Sequence, residues 1–351
     1  MSGPKEYGVF LPIANGGWIV SRNTPALDGG WAQNREAALI AEAEGFDFVM
    51  AMGKWRGFGG DTGHWGHSLE AVTMMAGIAA ITKRVKLWTT LHAILHNPAV
   101  AAKMIATLDH ISGGRAGLNI VAGAYRGEFE QMGAWDAGLD HDARYDLTEE
   151  WTQIVKRLWT EPQVSFDGKY FTFKDCVSEP KPLHPPFLIC AGMSQRGFAF
   201  SVREADGCFI GGRNEAETRD ASRRARALAT ELKKSIRTYC MMTVITAPTD
   251  AQAQAKAQKY RDGLDEGAVL GMLESYGVPL SGEGGNAMTA RAQGAFMTQT
   301  VVGAPATCAA QIERFLRACD IDGLMFVYDD YAEGLRVTGR QILPQLRGAF
   351  A

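Results

Sequence analysis

Eight short runs of apolar and β-branched residues, separated by longer stretches of helical periodicity, confine this chain to a β/α architecture. The strand runs cover about Tyr7–Pro12, Phe46–Met50, Lys86–Leu91, Ala116–Val121, Phe187–Cys190, Asp206–Ile210, Thr238–Ile245 and Gly323–Tyr328. Helical patterns lie near Asn34–Glu44, Leu69–Ile81, Ala99–Ile111, Tyr145–Trp159, Arg196–Glu204, Glu215–Leu232, Ala251–Asp262, Pro305–Ala318 and Glu333–Leu346. Runs such as GVFLPI, LNIVAG and FLICAG are continuously apolar, the mark of parallel strands covered on both faces. Eight alternations are the number that closes a barrel, so the spacing predicts a (β/α)8 TIM barrel with insertions, one domain over residues 1–351. A doubly wound open sheet is the competing arrangement, because alternation alone fits both. Most strand runs lead into glycine or small polar residues (ANGG, AMGK, AGAYRG, AGMS, GGR), where a barrel carries its functional loops.

Two stretches interrupt the alternation. Val164–Phe173, VSFDGKYFTF, alternates apolar and polar residues around Asp167-Gly168 and reads as a β-hairpin. The span from Glu266 to Ala304 contains GVPLSGEGGNAMT and reads as a long mobile loop, the candidate lid. Charge excludes some partners: 36 Lys+Arg against 39 Asp+Glu leave −3, which supplies no attraction to nucleic acid or to an anionic membrane. No apolar run approaches the roughly 18 residues of a membrane span. The opening MSGPKEYGVF lacks the basic and apolar regions of a signal peptide, and the six cysteines form no CxxC pair. The expected location is cytoplasmic, with buried free thiols.

Familiar catalytic motifs fail on spacing. Gly192-Met193-Ser194-Gln195-Arg196-Gly197 has one residue too many for a nucleophile elbow. Gly57 and Gly59 are followed by Thr62 where a dinucleotide fingerprint needs its third glycine. His64 and His67 are three apart, but no further Cys, His or carboxylate cluster accompanies them, so no metal is expected. What remains is anion chemistry. Ala191-Gly192-Met193-Ser194 follows a buried strand and opens a helix, where free backbone N–H groups and the Ser194 hydroxyl form a phosphate cradle. Arg144, at the start of another helix, could add a charge-assisted contact. A plain N-cap at Ser194 explains the same pattern equally well.

Two segments in order, Ile111-Ser112-Gly113-Gly114-Arg115 with Gly117-Leu118-Asn119-Ile120-Val121, then Leu139-Asp140-His141-Asp142-Ala143-Arg144-Tyr145, resemble the signatures of the bacterial luciferase-like flavin monooxygenases. The resemblance extends over nearly the whole chain and implies a (β/α)8 barrel. Within that superfamily GVFLPIANGGWIVS, MGKWRGFGG, EFEQMGAW, ICAGMSQRGFAFS and the terminal VYDDYAEGLRVTGRQILPQL are most similar to the pyrimidine (uracil) monooxygenases. Carried over by motif, the resemblance implies FMN contacts at Gly53, Lys54, Asn119, Glu128, Arg144, Tyr145, Gly192 and Ser194. It implies a catalytic pair, Thr90 and Asn119, near the flavin and the substrate carbonyl. Alone, Thr90 reads as a β-branched barrel residue and Asn119 as a loop cap. The implied chemistry is that of the cofactor. Reduced FMN, supplied by a separate NAD(P)H:flavin reductase, reacts with O2 to a flavin peroxide, which opens a uracil-like ring at its C4 carbonyl. Dimers or tetramers are common in the superfamily, so a homo-oligomer is expected.

The chain also departs from that pattern. Ala122-Gly123-Ala124-Tyr125 stands where the uracil and sulfone enzymes have a Gly-Trp pair, which reshapes the wall at Ala124 and Tyr125. His92 and His96 occupy places where the uracil enzymes lack histidine, and each reads either as a substrate contact or as a packed loop residue. The alternatives are an FMN-dependent sulfone or alkanesulfonate monooxygenase, which would want a cation at Arg126 or His92, and a non-catalytic FMN-binding barrel.

Overall fold

The computed structural model of the chain describes residues 4–279 and 285–351. Eleven strands form among them: β1 (Glu6–Phe10), β2 (Phe48–Met50), β3 (Lys86–His92), β4 (Ala116–Val121), β5 (Val164–Asp167), β6 (Thr172–Cys176), β7 (Phe187–Cys190), β8 (Gly207–Phe209), β9 (Arg237–Thr246), β10 (Gln299–Gly303) and β11 (Gly323–Tyr328). Strands β1, β2, β3, β4, β7, β8, β9 and β11 pair in parallel in that order, and β11 returns to β1. The return closes a (β/α)8 barrel and removes the open-sheet alternative. Strands β5 and β6 form the antiparallel hairpin, with Phe166 opposite Phe173.

The helices are α1 (Trp31–Ala43), α2 (Ala71–Ile81), α3 (Pro98–Ser112), α4 (Arg126–Glu130), α5 (His141–Thr160), α6 (Gln195–Glu204), α7 (Glu215–Glu231), α8 (Asp250–Asp262), α9 (Glu266–Ser275), α10 (Ala287–Ala292) and α11 (Pro305–Cys319). The last, α12 (Tyr331–Val337), runs through a π-helical turn (Thr338–Ile342) into α13 (Leu343–Ala349). Their starts follow local chemistry. Asn97 caps α3 ahead of Pro98, Asp140 caps α5 through Ala143 N, and Gly113 ends α3 at φ 70°. Alanines on the buried faces, such as Ala101, Ala102 and Ala106 of α3, let the helices lie close on the strands.

Period-two alternation divides each barrel strand. On β3, Leu87 and Leu91 face the helices, while Trp88, Thr90 and His92 face the barrel interior. The lower interior is filled by aromatic rings. Phe48 and Trp88 stack with centroids 3.8 Å apart, Phe187 stacks on Trp88 at 5.3 Å, and Tyr239 meets Trp88 edge-on at 5.2 Å. Facing strands give way to these rings: a side chain at Gly8 would lie 2.2 Å from the Phe48 ring, and one at Gly117 would lie 2.4 Å from Trp88. The stack forms a floor beneath the C-terminal mouth, the end at which a barrel carries its functional loops.

The span 266–304 is not the mobile loop that its composition indicated. It contains α9, α10 and β10, with residues 280–284 outside the described range. Ala268, Val269, Met272 and Leu273 follow helical spacing and join the same apolar cluster as Phe58, Trp65 and Trp18. Backbone bonds stitch the span to residues 18–22: Val20 N donates to Ala295 O, Met297 N to Trp18 O, and Asp265 N to Val20 O. Glycine and serine in the middle of the span masked the apolar periodicity on either side.

Trp88 is 1% exposed. Truncation at Trp88→Ala should destabilise the fold by about 3–5 kcal/mol in urea unfolding, the range for a large aromatic removed from a packed core. A loss under about 1 kcal/mol would mean that the stack does not carry the floor.

Candidate functional site

Two interior positions above the floor are registered on each other: Thr90 of β3 pairs with Asn119 of β4. Both lie within their strands, so Asn119 is not the loop cap that its residue type alone indicated. Asn119 Nδ2 donates to Thr90 Oγ1 at 3.2 Å, and Thr90 Oγ1 donates to Ala51 O at 2.7 Å. The single Thr90 proton is therefore engaged by the Ala51 carbonyl. Its oxygen and the Asn119 amide form a fixed relay. Asn119 Oδ1, buried, has no hydrogen-bond partner among the described residues. Such an acceptor is free to receive a hydrogen bond from a ligand.

Lys54 and Glu128 make the second feature. Lys54 Nζ lies 3.4 Å from Glu128 Oε2, with side chains 6% and 5% exposed. The other carboxylate oxygen accepts from Trp55 N at 2.5 Å. The ammonium also sits over Phe58 at 4.6 Å and Tyr125 at 4.8 Å. Burial lowers the Lys54 pKa from its ordinary value, against the opposing pull of Glu128. Expected from the resemblance as a cofactor contact, Glu128 is here turned onto Lys54 and the backbone of residues 54–55.

Gly53 sits beside His92: a side chain at position 53 would lie 2.8 Å from His92 Cε1 and 3.6 Å from Thr90 Cγ2. His92 is buried and meets Phe129 edge-on at 5.2 Å. Burial, with smaller pushes from His96 and Lys54, lowers its pKa to about 3, so the ring is uncharged near neutrality. His96 turns back on its own loop, with Nδ1 3.0 Å from His92 O. Tyr125, half-buried, packs on Lys54 and Phe58, and Ala124 is exposed at the rim.

Across the mouth, Tyr145, Gly192 and Ser194 come together. A side chain at Gly192 would lie 2.8 Å from Tyr145 Oη and 2.7 Å from Gly197 O. Ser194 caps α6 by accepting from Gly197 N at 3.1 Å, and is itself exposed. The N-cap reading of Ser194 thus holds. Arg144 is less free than expected. Its Nε donates to Gly123 O at 3.1 Å and Nη1 to Leu139 O at 3.0 Å, with the guanidinium 4.7 Å over Trp135.

Sequence reasoning named the span 266–304 as the lid but missed what anchors it. Asp265, at the start of α9, accepts from Thr62 N at 2.7 Å, Thr62 Oγ1 at 2.8 Å, Ala268 N at 3.0 Å and Asp61 N at 3.2 Å. Burial pushes this carboxyl up, and those hydrogen bonds outweigh it and hold the pKa below its usual value. Tyr276 packs at 6.1 Å from Phe58, extending the aromatic wall. The available signal was Asp265 three residues before Ala268, an N-cap ahead of an apolar run. His64 and His67 lie in a loop and not on a helix; His64 is buried with neither ring nitrogen hydrogen-bonded, and His67 is exposed.

Comparison with known proteins adds to this geometry. Residues 5–320 match the family described as luciferase-like monooxygenase. Pyrimidine monooxygenase RutA of Acinetobacter baylyi is 35% identical over 346 residues, covering 97% of this chain and 94% of that protein. The protein of that name from Caulobacter vibrioides is 36% identical over 350 residues, covering 97% and 98%. Among solved structures, a riboflavin lyase (RcaE) with modified FMN and riboflavin superposes with TM-score 0.88 and 22% identity, covering 99% of this chain and 93% of that one. The long-chain alkane monooxygenase LadA does so with TM-score 0.84 and 19% identity, covering 99% and 92%. Both have the same fold.

Two outcomes are expected from the buried charges. Glu128→Ala leaves the Lys54 ammonium buried without its carboxylate and should cost about 3–5 kcal/mol of stability. Lys54→Met combined with Glu128→Leu should recover most of it in the same urea titration; no recovery would mean that the pair is not the coupled unit. The second concerns pH. Burial lowers His64 to about 4 and His92 to about 3 from 6.5. Below 6.5 the unfolded chain binds two protons that the folded chain refuses, so the stability present above 6.5 is lost as pH falls. Between pH 6.5 and 5 the loss should be about 3 kcal/mol. A flat denaturation midpoint across that window would contradict it.

Proposed function

Since the chain belongs to the luciferase-like monooxygenase family, whose members are flavin-dependent, we propose that it is a two-component, FMN-dependent monooxygenase that oxygenates and opens an uncharged, uracil-like cyclic amide. The observation that carries the reading is the Asn119–Thr90–Ala51 relay with its open Asn119 Oδ1, set between the Lys54–Glu128 pair and the Tyr145–Gly192–Ser194 corner. Near-full-length similarity to pyrimidine monooxygenases supports the substrate class.

The residues fit a flavin mononucleotide. A reduced isoalloxazine carries ring N–H groups, and one of these would satisfy the buried Asn119 oxygen. Ser194, the N–H groups at the start of α6 and the Tyr145 hydroxyl would hold the phosphate, with Arg144 supplying positive charge nearby. When bound, reduced flavin supplies the two electrons with which O2, the co-substrate, is activated. Lys54 would donate to an oxygen in which negative charge develops, and Glu128 keeps its ammonium aimed and charged. Asn119 orients the reacting ring through an amide that Thr90 prevents from turning. The floor of rings below and the α9–α10 cover above keep bulk water away from the reacting atoms.

A sulfonate substrate is disfavoured by the charges present. Arg126 is exposed and paired with Glu130 at 2.6 Å, Lys54 is matched by Glu128, and His92 is uncharged. Reducing equivalents would come from a separate NAD(P)H:flavin reductase, and a dimer or tetramer is the assembly in keeping with the family.

Incubation with FMN, NADH, a generic flavin reductase, uracil and 18O-labelled O2 should yield a ring-opened product carrying one labelled oxygen, read by mass. Product from sulfones or alkanesulfonates only would reassign the pocket; none from any substrate, with tight binding of oxidised FMN, would point to the binding-only barrel. Asp265→Ala, which unties α9 from residues 61–62, should raise the H2O2 released per NADH severalfold. Unchanged coupling would dismiss the covering role.

A further inference from the structure

His92 is the last residue of β3 and shares the inward face of that strand with Trp88 and Thr90. It is 4% exposed, and the hydrogen bonds it makes with described residues run through its backbone. The ring is held by shape alone, with Gly53 beside Cε1 and Nδ1 and the Phe129 ring edge-on at 5.2 Å. Any side chain at position 53 would push it aside. A ring held in place with no side-chain partner keeps its donor and acceptor capacity for a ligand. The backbone oxygen of His92 receives His96 Nδ1 at 3.0 Å, which fixes the strand end from which the ring projects.

The chemistry of the partner follows from the groups that face it. The apolar Phe129 of α4 and Gly53 pack against the ring, and Lys54, after β2, and His96, after β3, act on it electrostatically. Burial first, with Lys54 and His96 adding to it, disfavours a further proton, so the imidazole presents one N–H donor and one lone pair without net charge. An amide edge, with a carbonyl acceptor or an N–H donor, complements such a ring; an anion gains no charge from it. We propose that His92 touches the bound substrate and is a specificity-determining residue selecting cyclic amides, a reading that rests on the pyrimidine-type activity proposed above.

The test uses the full chain with FMN, the generic reductase and uracil, comparing wild type with His92→Phe, which keeps volume, and His92→Gln, which keeps a donor and an acceptor. His92→Phe should lower kcat/KM for uracil about 10- to 100-fold, the factor usual for an unmade hydrogen bond to a buried group, with His92→Gln recovering part of it. FMN affinity within about twofold of wild type in both variants establishes that the barrel is intact. Independently of turnover, the 15N resonances of the His92 ring should move when uracil is titrated into the FMN-loaded wild type. Uracil turnover by His92→Phe at the wild-type rate, or a static His92 resonance while uracil binds, would overturn the assignment and leave the pyrimidine reading standing. If wild type binds FMN but neither binds nor oxygenates uracil or other cyclic amides, the activity itself is refuted and the role of His92 falls with it.

Discussion

The stack of Phe48, Trp88 and Phe187 determines what the rest of this barrel can do. Three flat rings with Tyr239 edge-on fill the lower interior. Strand β3 then presents, at steps of two residues, a floor (Trp88), a relay (Thr90) and an unpartnered ring (His92). Only the upper two positions are polar. A polar group placed lower would sit among rings with nothing to bond to, and one placed higher would face water. The height of the reacting centre is thus set by how far the aromatic filling reaches.

Above that floor, the electrostatics are those of a site that cancels its own charge. Lys54 would be intolerable at its depth as a lone ammonium, and Glu128, Phe58 and Tyr125 together keep it. Because α4 supplies Glu128 and the segment after β2 supplies Lys54, this pair also ties two loops of the mouth together. Asp265 does the same between α9 and residues 61–62. Each connection joins parts of the chain far apart in sequence, and each consists of a carboxylate accepting several hydrogen bonds. Shape is therefore maintained by the same buried charges that give the mouth its chemistry.

Much of the fold was legible because period and length carry it. The eight barrel strands, the hairpin around Asp167-Gly168 and most helices lie within a few residues of where apolar spacing puts them. The exceptions have identifiable causes. Strand β10 and helices α9 and α10 flank a tract dominated by glycine, serine and asparagine, and that composition obscured the Ala268, Val269, Met272, Leu273 face. Helix α4 is too short for periodicity to register. In the site, Thr90, Asn119 and Lys54 were nominated through motif resemblance and Ser194 also through its place between a strand run and a helix, while Thr90 and Asn119 lie inside their strands. The direction of their hydrogen bonds could not be anticipated. Thr90 gives its proton to Ala51, Glu128 faces Lys54, and Arg144 is occupied by two carbonyls, and each of these choices is made by a partner at least five residues away.

By itself, the sequence determined the architecture and the strand ends at which polar residues gather, because alternation and capping are local and act wherever the chain goes. Tertiary structure alone decided which of those residues are free to meet a ligand. Closure of the barrel brings β3 beside β4, lowers the effective dielectric around Lys54 and His92, and fixes which donors meet which acceptors. Burial and pairing are properties of the whole packed molecule, and no window of residues contains them.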